Sequence, residues 1–213
     1  LDIVGSLLGL LVLSPLFLAV ALMIKLVSPG TVFFKQVRIG RGGKPFLLWK
    51  FRTMRTNADT AIHQSHMADL IRSANGETAA KPMAKLNDDP RIIPLGWILR
   101  GTCIDELPQL INVLRGEMSL VGPRPAIPYE VREYLPWQTR RLDTTPGLTG
   151  LWQVSGKSRL TFDEMVRLDI RYVRTRSVGK TVTILCRTPG AVAQEMMDAW
   201  THRRMRLGAS QHG

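Results

Sequence analysis

Twenty-two residues without a charge, Ile3 to Ile24, lie between Asp2 and Lys25 and constrain the chain more than any other feature. As one straight helix they would reach about 33 Å, enough to cross a hydrocarbon core of about 30 Å. A cleaved signal peptide has the small-x-small residues it needs in Ala19-Val20-Ala21, but only Leu1 and the acidic Asp2 precede the run, where a signal carries basic residues. Ser14-Pro15 stands at the middle. Proline there removes a helical hydrogen bond and leaves two arms of about 14–16 Å, each half a bilayer core. The arms form either a kinked span or a hairpin that returns to its own side, with the Ser14 hydroxyl serving a freed carbonyl. Pattern alone favours the span, because spans tolerate proline, and a span would leave the basic remainder in the cytoplasm.

That remainder is strongly basic: 29 Lys and Arg against 17 Asp and Glu give +12. Such a surplus calls for an anionic partner, whether nucleic acid, acidic lipid or a phosphorylated substrate. Aromatics make up only 7%, and no basic stacking platform is visible, so nucleic acid is not expected. Two cysteines, Cys103 and Cys186, exclude a disulfide scaffold.

Val32–Arg38 and Pro45–Met54 flank Gly40-Arg41-Gly42-Gly43-Lys44 and predict a β-hairpin. The glycines do not make a phosphate loop: the residue five before Gly43 is Arg38, and no Ser or Thr follows Lys44. Helices are expected at 58–73, at Gly96–Arg100 and Leu107–Leu114, and at Phe162–Val173. Another covers Tyr129–Leu142, divided at Pro136, and a basic terminal helix spans Ala191–Leu207. His63 and His66 share a helix face, but with no further ligand pair they read as solvated. The terminal helix suits an anionic bilayer surface or plain solvent equally.

The densest polar set runs from Asp88 to Pro125. Within it Asp105-Glu106 sit among Ile104, Leu107 and Pro108. Such carboxylates bind Mg²⁺, act as a base or attack phosphorus, while arginines clamp phosphate oxygens. Taken alone, Asp105 reads more simply as the cap of a helix beginning at Leu107.

The block CIDELPQLINVLRGEMSLVGPRP (103–125), with KFRTM (50–54), DPR (89–91) and PGLTGLWQVSGKS (146–158), changes that balance. In order, and over nearly the whole chain, it resembles the bacterial sugar transferases, the monotopic polyprenyl-phosphate hexose-1-phosphate transferases. The resemblance implies transfer of a hexose 1-phosphate from a UDP-sugar to a polyprenyl phosphate such as undecaprenyl phosphate. UMP is released with Mg²⁺ as cofactor, and the step initiates exopolysaccharide or O-antigen assembly. By position Asp105 is the nucleophile that takes up the phosphosugar and a metal ligand, with Glu106 its partner. Lys50, Arg52, Arg100 and Arg124 match phosphate-binding positions; Arg91 belongs to the DPR motif, and Asp169 and Tyr172 match a D-x-x-Y segment. Ser14-Pro15 matches the break of the family's re-entrant helix, which turns the expectation from span to hairpin.

The expected fold is therefore mixed α/β and mainly helical. It comprises a re-entrant membrane helix (1–28) and a catalytic domain (29–213) with a small β-hairpin and amphipathic helices lying along the interface. The expected place is the cytoplasmic face of a bacterial inner membrane, against anionic phospholipid, as the catalytic part of a longer chain; a homodimer fits such amphipathic surfaces. Cys103 stands where the family often has Ser and puts a reduced thiol beside the nucleophile. Gly179-Lys180-Thr181 replaces a frequent Asp after Ser177. The competing reading is a membrane-anchored interaction domain without catalysis, which has no need of Asp105-Glu106.

Overall fold

The computed structural model describes residues 1–55, 61–74, 82–83 and 91–209. Eight helices carry more than half of these described residues: α1 (Asp2–Val12), α2 (Ser14–Val27), α3 (Ala61–Ala74), α4 (Gly96–Gly101), α5 (Gln109–Leu114), α6 (Pro128–Arg132), α7 (Phe162–Thr175) and α8 (Val178–Ala209). Four strands accompany them. β1 (Phe33–Ile39) pairs antiparallel with β2 (Pro45–Phe51), and β3 (Ser119–Val121) pairs parallel with β4 (Gly147–Thr149).

Proline divides the apolar start as its chemistry requires. The amide missing at Pro15 would have bonded the Leu11 carbonyl, and the Ser14 hydroxyl donates to that oxygen instead, at 2.8 Å. The two helices meet at a bend of 60°, so the straight span does not form, and no single described helix is long and apolar enough to cross a bilayer. Ile3, Val4, Leu7, Leu8, Leu11 and Val12 form an exposed stripe on α1, continued by Leu18, Leu22 and Leu26 on α2. The opposite side of α1 is packed. A Cβ on Gly5 would stand 2.7 Å from a Leu120 methyl, so glycine lets the helix lie against β3.

Both ends of this bent pair are fixed to the same body. The Leu120 amide donates to the Asp2 carboxylate (3.1 Å). At the far end Val20 and Ile24 of α2 join Phe51, Ile93 and Leu99 in one core cluster, with Ile104 against it. The residue before the nucleophile candidate is therefore packed on the inner side of the apolar helix.

The β-hairpin forms as expected, although β2 stops at Phe51 rather than Met54. Gly42 and Gly43 take φ of +65° and +78° in its turn, a backbone form that costs glycine little. The start of the helix expected at 58–73 lies outside the described residues. Pro136 does divide its segment, into α6 and a tight 3-10 turn over Gln138–Asp143. The terminal helix departs from expectation. It begins at Val178, not Ala191, and runs through Pro189, because its inner side is held: Ile184 packs with Val121 and Tyr172.

A second cluster joins Ile71 to Trp152, Phe162, Met165, Val166 and Ile170, so α3 and the 146–158 block both rest on α7. Thr161 caps α7, its hydroxyl accepting from the Glu164 amide.

Candidate active site

Asp105 and Glu106 occupy a single 3-10 turn, Ile104–Glu106, between α4 and α5. Cys103 opens it in the left-handed region (φ 57°), which reverses the chain after α4. The helix-cap reading of Asp105 does not hold: α5 begins behind Pro108 with no side-chain cap bond. Asp105 is buried at 8% exposure, and Glu106 is half-buried.

Lys50 is brought to this pair. Its Nζ lies 2.7 Å from a Glu106 carboxylate oxygen, which ties β2 to the turn. Arg100 lies in the last turn of α4, five residues before Asp105, and is half-buried. Arg52, a residue matched to a phosphate-binding position, is placed elsewhere. At 3% exposure its Nη1 donates to the Pro29 carbonyl (2.8 Å) and the Ser28 hydroxyl (3.1 Å), and its Nη2 to the Ser28 carbonyl (2.8 Å). Arg52 thus closes the C-terminal end of α2, where a cation meets the negative end of the helix dipole. Arg91 is half-buried, its carbonyl accepting from the Arg55 amide; Asp89 and Pro90 of its motif lie outside the described residues.

The GPRP loop is held from every side. Moving along it, the Tyr172 hydroxyl donates to the Val121 carbonyl, the Gly122 amide donates to Thr149, and the Gly147 amide donates to Pro123. The Arg124 amide donates to Asp169 and its carbonyl accepts from Arg141. Arg38 and the Ile39 amide donate to the carbonyls of Pro125 and Ala126. Asp169 and Tyr172 therefore act on the backbone of this loop. The Arg124 side chain forks onto Glu130 at 2.8 and 3.0 Å, a charge-assisted bidentate pair. Glu130 holds the Arg124 proton more firmly than usual, while Arg124 draws the buried Glu130 carboxyl below its ordinary range.

Asp169 is 1% exposed, ion-paired to Arg141 and without a hydrogen-bond partner on its second oxygen. Burial pushes its carboxyl up to about 6 against the pull of Arg141. Arg141 also donates to the Tyr134 hydroxyl at 3.0 Å, and burial raises that phenol to about 12.

Four groups escaped the reading of the sequence. Arg38, Glu130 and Arg141 are single charged residues with no motif around them; only the alternation Phe34, Gln36, Arg38 along β1 could have put Arg38 inward. The fourth, Glu195, needed a contact across 92 residues. Its Oε2 is 3.4 Å from the Cys103 thiol, and Lys157, from the 146–158 block, lies 3.3 Å from the same sulfur and is ion-paired to Glu195. Beside them a cleft of about 370 Å³ opens between Gln153–Arg159 and α8.

Among the described residues no three His, Cys, Asp or Glu gather as a metal cage. Mg²⁺ needs none, since it takes one or two carboxylates and fills its octahedron with phosphate oxygens and water. Asp105 and Glu106 are the carboxylates of this turn that could take such a place. His66 is half-buried, with Nε2 unbonded, rather than solvated; the side chain of His63 is outside the described residues.

A buried Asp-Glu turn, a lysine from KFRTM and a clamped GPRP loop form one neighbourhood, and the sequence profile of one family, described as bacterial sugar transferase, matches residues 1–195. The chain belongs to that family. Its relatives include an exopolysaccharide production protein, ExoY, of Sinorhizobium fredii, 39% identical over 90% of this chain and 83% of its own. The undecaprenyl-phosphate galactose phosphotransferase of Salmonella typhimurium is 39% identical over 90% of this chain, which spans only 39% of that longer protein. A UDP-glucose:undecaprenyl-phosphate glucose-1-phosphate transferase of Caulobacter vibrioides is 39% identical over 88% of this chain and 66% of its own. Two distant motifs meet the 103–125 block: Lys50 of KFRTM reaches Glu106, and Gly147 and Thr149 of the 146–158 block bond the backbone of the GPRP loop.

Proposed function

We propose that this chain transfers a hexose 1-phosphate from a UDP-sugar to a polyprenyl phosphate, undecaprenyl phosphate by analogy with the Salmonella and Caulobacter relatives. The carrying observation is the buried Asp105 beside a Lys50-bound Glu106, at the foot of an apolar helix pair. The Asp105 carboxylate attacks the phosphorus that bears the sugar; the bond to the bridging oxygen breaks, and UMP leaves with the electron pair. A phosphate oxygen of the lipid acceptor then attacks the same phosphorus, forming the lipid diphosphate and restoring Asp105. Splitting the transfer lets the two anionic substrates use one phosphate pocket in turn. Arg100 and Lys50 hold donor phosphate oxygens beside the turn, and Glu106 receives or returns the proton of the exchanging groups. Mg²⁺, held by Asp105 and the donor phosphates, would neutralise charge on the leaving UMP.

The same geometry supports a seat at the membrane. Asp2 and Arg52 fix both ends of the bent pair to one folded body, which supports a hairpin that dips into one leaflet from the cytoplasmic face. Its exposed leucine stripe contacts lipid. The acceptor phosphate then lies at the depth of the headgroups, where donor and Mg²⁺ arrive from water.

Detergent-solubilised protein with Mg²⁺ and undecaprenyl phosphate is to be assayed for UMP release from a panel of UDP-sugars, beside Asp105→Asn. Release that vanishes in the variant, together with a phosphohexose mass added to the intact parent when acceptor is withheld, is expected. UMP release undiminished in Asp105→Asn would overturn the assignment; no release with any donor from folded protein would favour the non-catalytic anchor.

A further inference from the structure

Lys50 and Arg38 lie on the same face of the β-hairpin. Lys50 is opposite Phe34 and Arg38 is opposite Phe46, and Phe34, Gln36 and Arg38 alternate on that face with Leu48, itself buried, between. Lys50 reaches Glu106, so this is the face turned to the dyad. Arg38 is 8% exposed. Its Nε and Nη2 donate to the Gln36 amide oxygen at 3.1 and 2.8 Å, and its Nη1 to the Pro125 carbonyl at 2.9 Å.

Both partners are neutral, and among the described residues no carboxylate is within ion-pairing distance of Arg38. That sets it apart from the other buried arginines. Arg141 has Asp169, Arg124 has Glu130, and Arg52 has the negative end of α2. A desolvated cation with no carboxylate in direct contact lowers stability, and its field, little screened by water or salt, extends to its surroundings, where Glu130 and Glu106 attract it from beyond ion-pair distance. Glu106 is among the groups that feel that field, with Glu130, Arg124 and Tyr129. Burial and Arg124 together push Arg38 down to about 10, which leaves it charged at neutral pH.

We infer that Arg38 is a positioning residue for phosphate transfer: aimed by Gln36 from the hairpin, it maintains positive potential behind the dyad that favours binding of the donor diphosphate. This rests on the UDP-sugar reading of the site and adds a residue that makes no contact with substrate. A cation of this kind is preorganised, since its partners are already in place and nothing must reorient as the anion arrives. It also explains why Gln36 spends its amide oxygen on two guanidinium nitrogens rather than on the backbone.

The test uses full-length, detergent-solubilised protein and UDP as probe, in Mg²⁺ buffer, with affinity from titration and unfolding midpoints measured in parallel. Arg38→Lys keeps the charge and loses the fork; Arg38→Met loses both. The expected result is that Arg38→Lys binds UDP within about threefold of the parent, while Arg38→Met binds at least about tenfold more weakly with an unfolding midpoint no lower than that of Arg38→Lys. A structural brace would behave differently, with both variants losing midpoint and affinity in step. That pattern, an Arg38→Met that binds UDP like the parent, or one that does not fold, overturns the inference. A parent that fails to bind UDP overturns the donor reading itself, and this inference with it.

Discussion

At the scale of single residues, the buried charges fall into two kinds. Most are neutralised locally: Arg124 by Glu130, Arg141 by Asp169, Glu106 by Lys50. Asp169 is neutralised at a cost, because one of its oxygens is left unbonded and burial lifts its carboxyl to about 6. Its folded value lies above the ordinary Asp value, so the native state binds the proton more tightly than the unfolded chain does. The Asp169 contribution to stability is therefore fully present below about pH 4 and is lost as pH rises through 6. Urea unfolding of parent and Asp169→Asn between pH 4.5 and 7 is expected to show the parent gaining about 2 kcal/mol on the variant toward acid. Parallel pH profiles would show that Asp169 is not the group responsible.

At the scale of elements, the motif glycines have a mechanical explanation. A Cβ on Gly147 would stand 2.0 Å from the Gly122 nitrogen, backbone against backbone, where β4 crosses the GPRP loop. No rotamer relieves such a contact, so Gly147→Ala must pry β3 and β4 apart. The loss should exceed about 4 kcal/mol, well beyond ordinary point mutations, and denaturant unfolding measures it. A change under about 1 kcal/mol would mean that the crossing is looser than described. The length of α8 shows the reverse relation between sequence and element. Gly179, Pro189 and Gly190 all argue for breaks, but packing of Ile184 on Val121 and Tyr172 outweighs them.

At the scale of the whole molecule, the exposed apolar stripe and the site are two sides of one helix pair. Ile24 packs inward with Ile104 against its cluster, one residue before Asp105, while Leu22 and Leu26 face outward. The position of the exposed apolar stripe and that of Asp105 are thereby linked. Replacing Leu7, Leu8 and Leu11 with Ser removes lipid-facing area without touching the packed side. Flotation with vesicles of anionic phospholipid is expected to fall at least tenfold, since each buried side chain contributes about 1.5–3 kcal/mol, while detergent-solubilised protein still releases UMP. Undiminished flotation would place the membrane contact on another surface.

Much of this was legible before any coordinates. The uncharged run with its central Ser14-Pro15 and the glycine-centred hairpin follow from spacing, charge and turn chemistry, which act between near neighbours, whereas the Asp105-Glu106 pair stood out as a site only through the resemblance to the sugar transferases. Even the bond from Ser14 to Leu11 is a local matter, set by the amide that Pro15 lacks. What only the tertiary structure decided are pairings across tens of residues. They take Arg52 to the end of α2 rather than to the dyad, send Asp169 and Arg141 to the backbone of the GPRP loop, and leave Arg38 buried on neutral hydrogen-bond partners. The reason is physical: a side chain's type states what it can bond, but its partner is fixed by which surfaces pack together and where water is excluded.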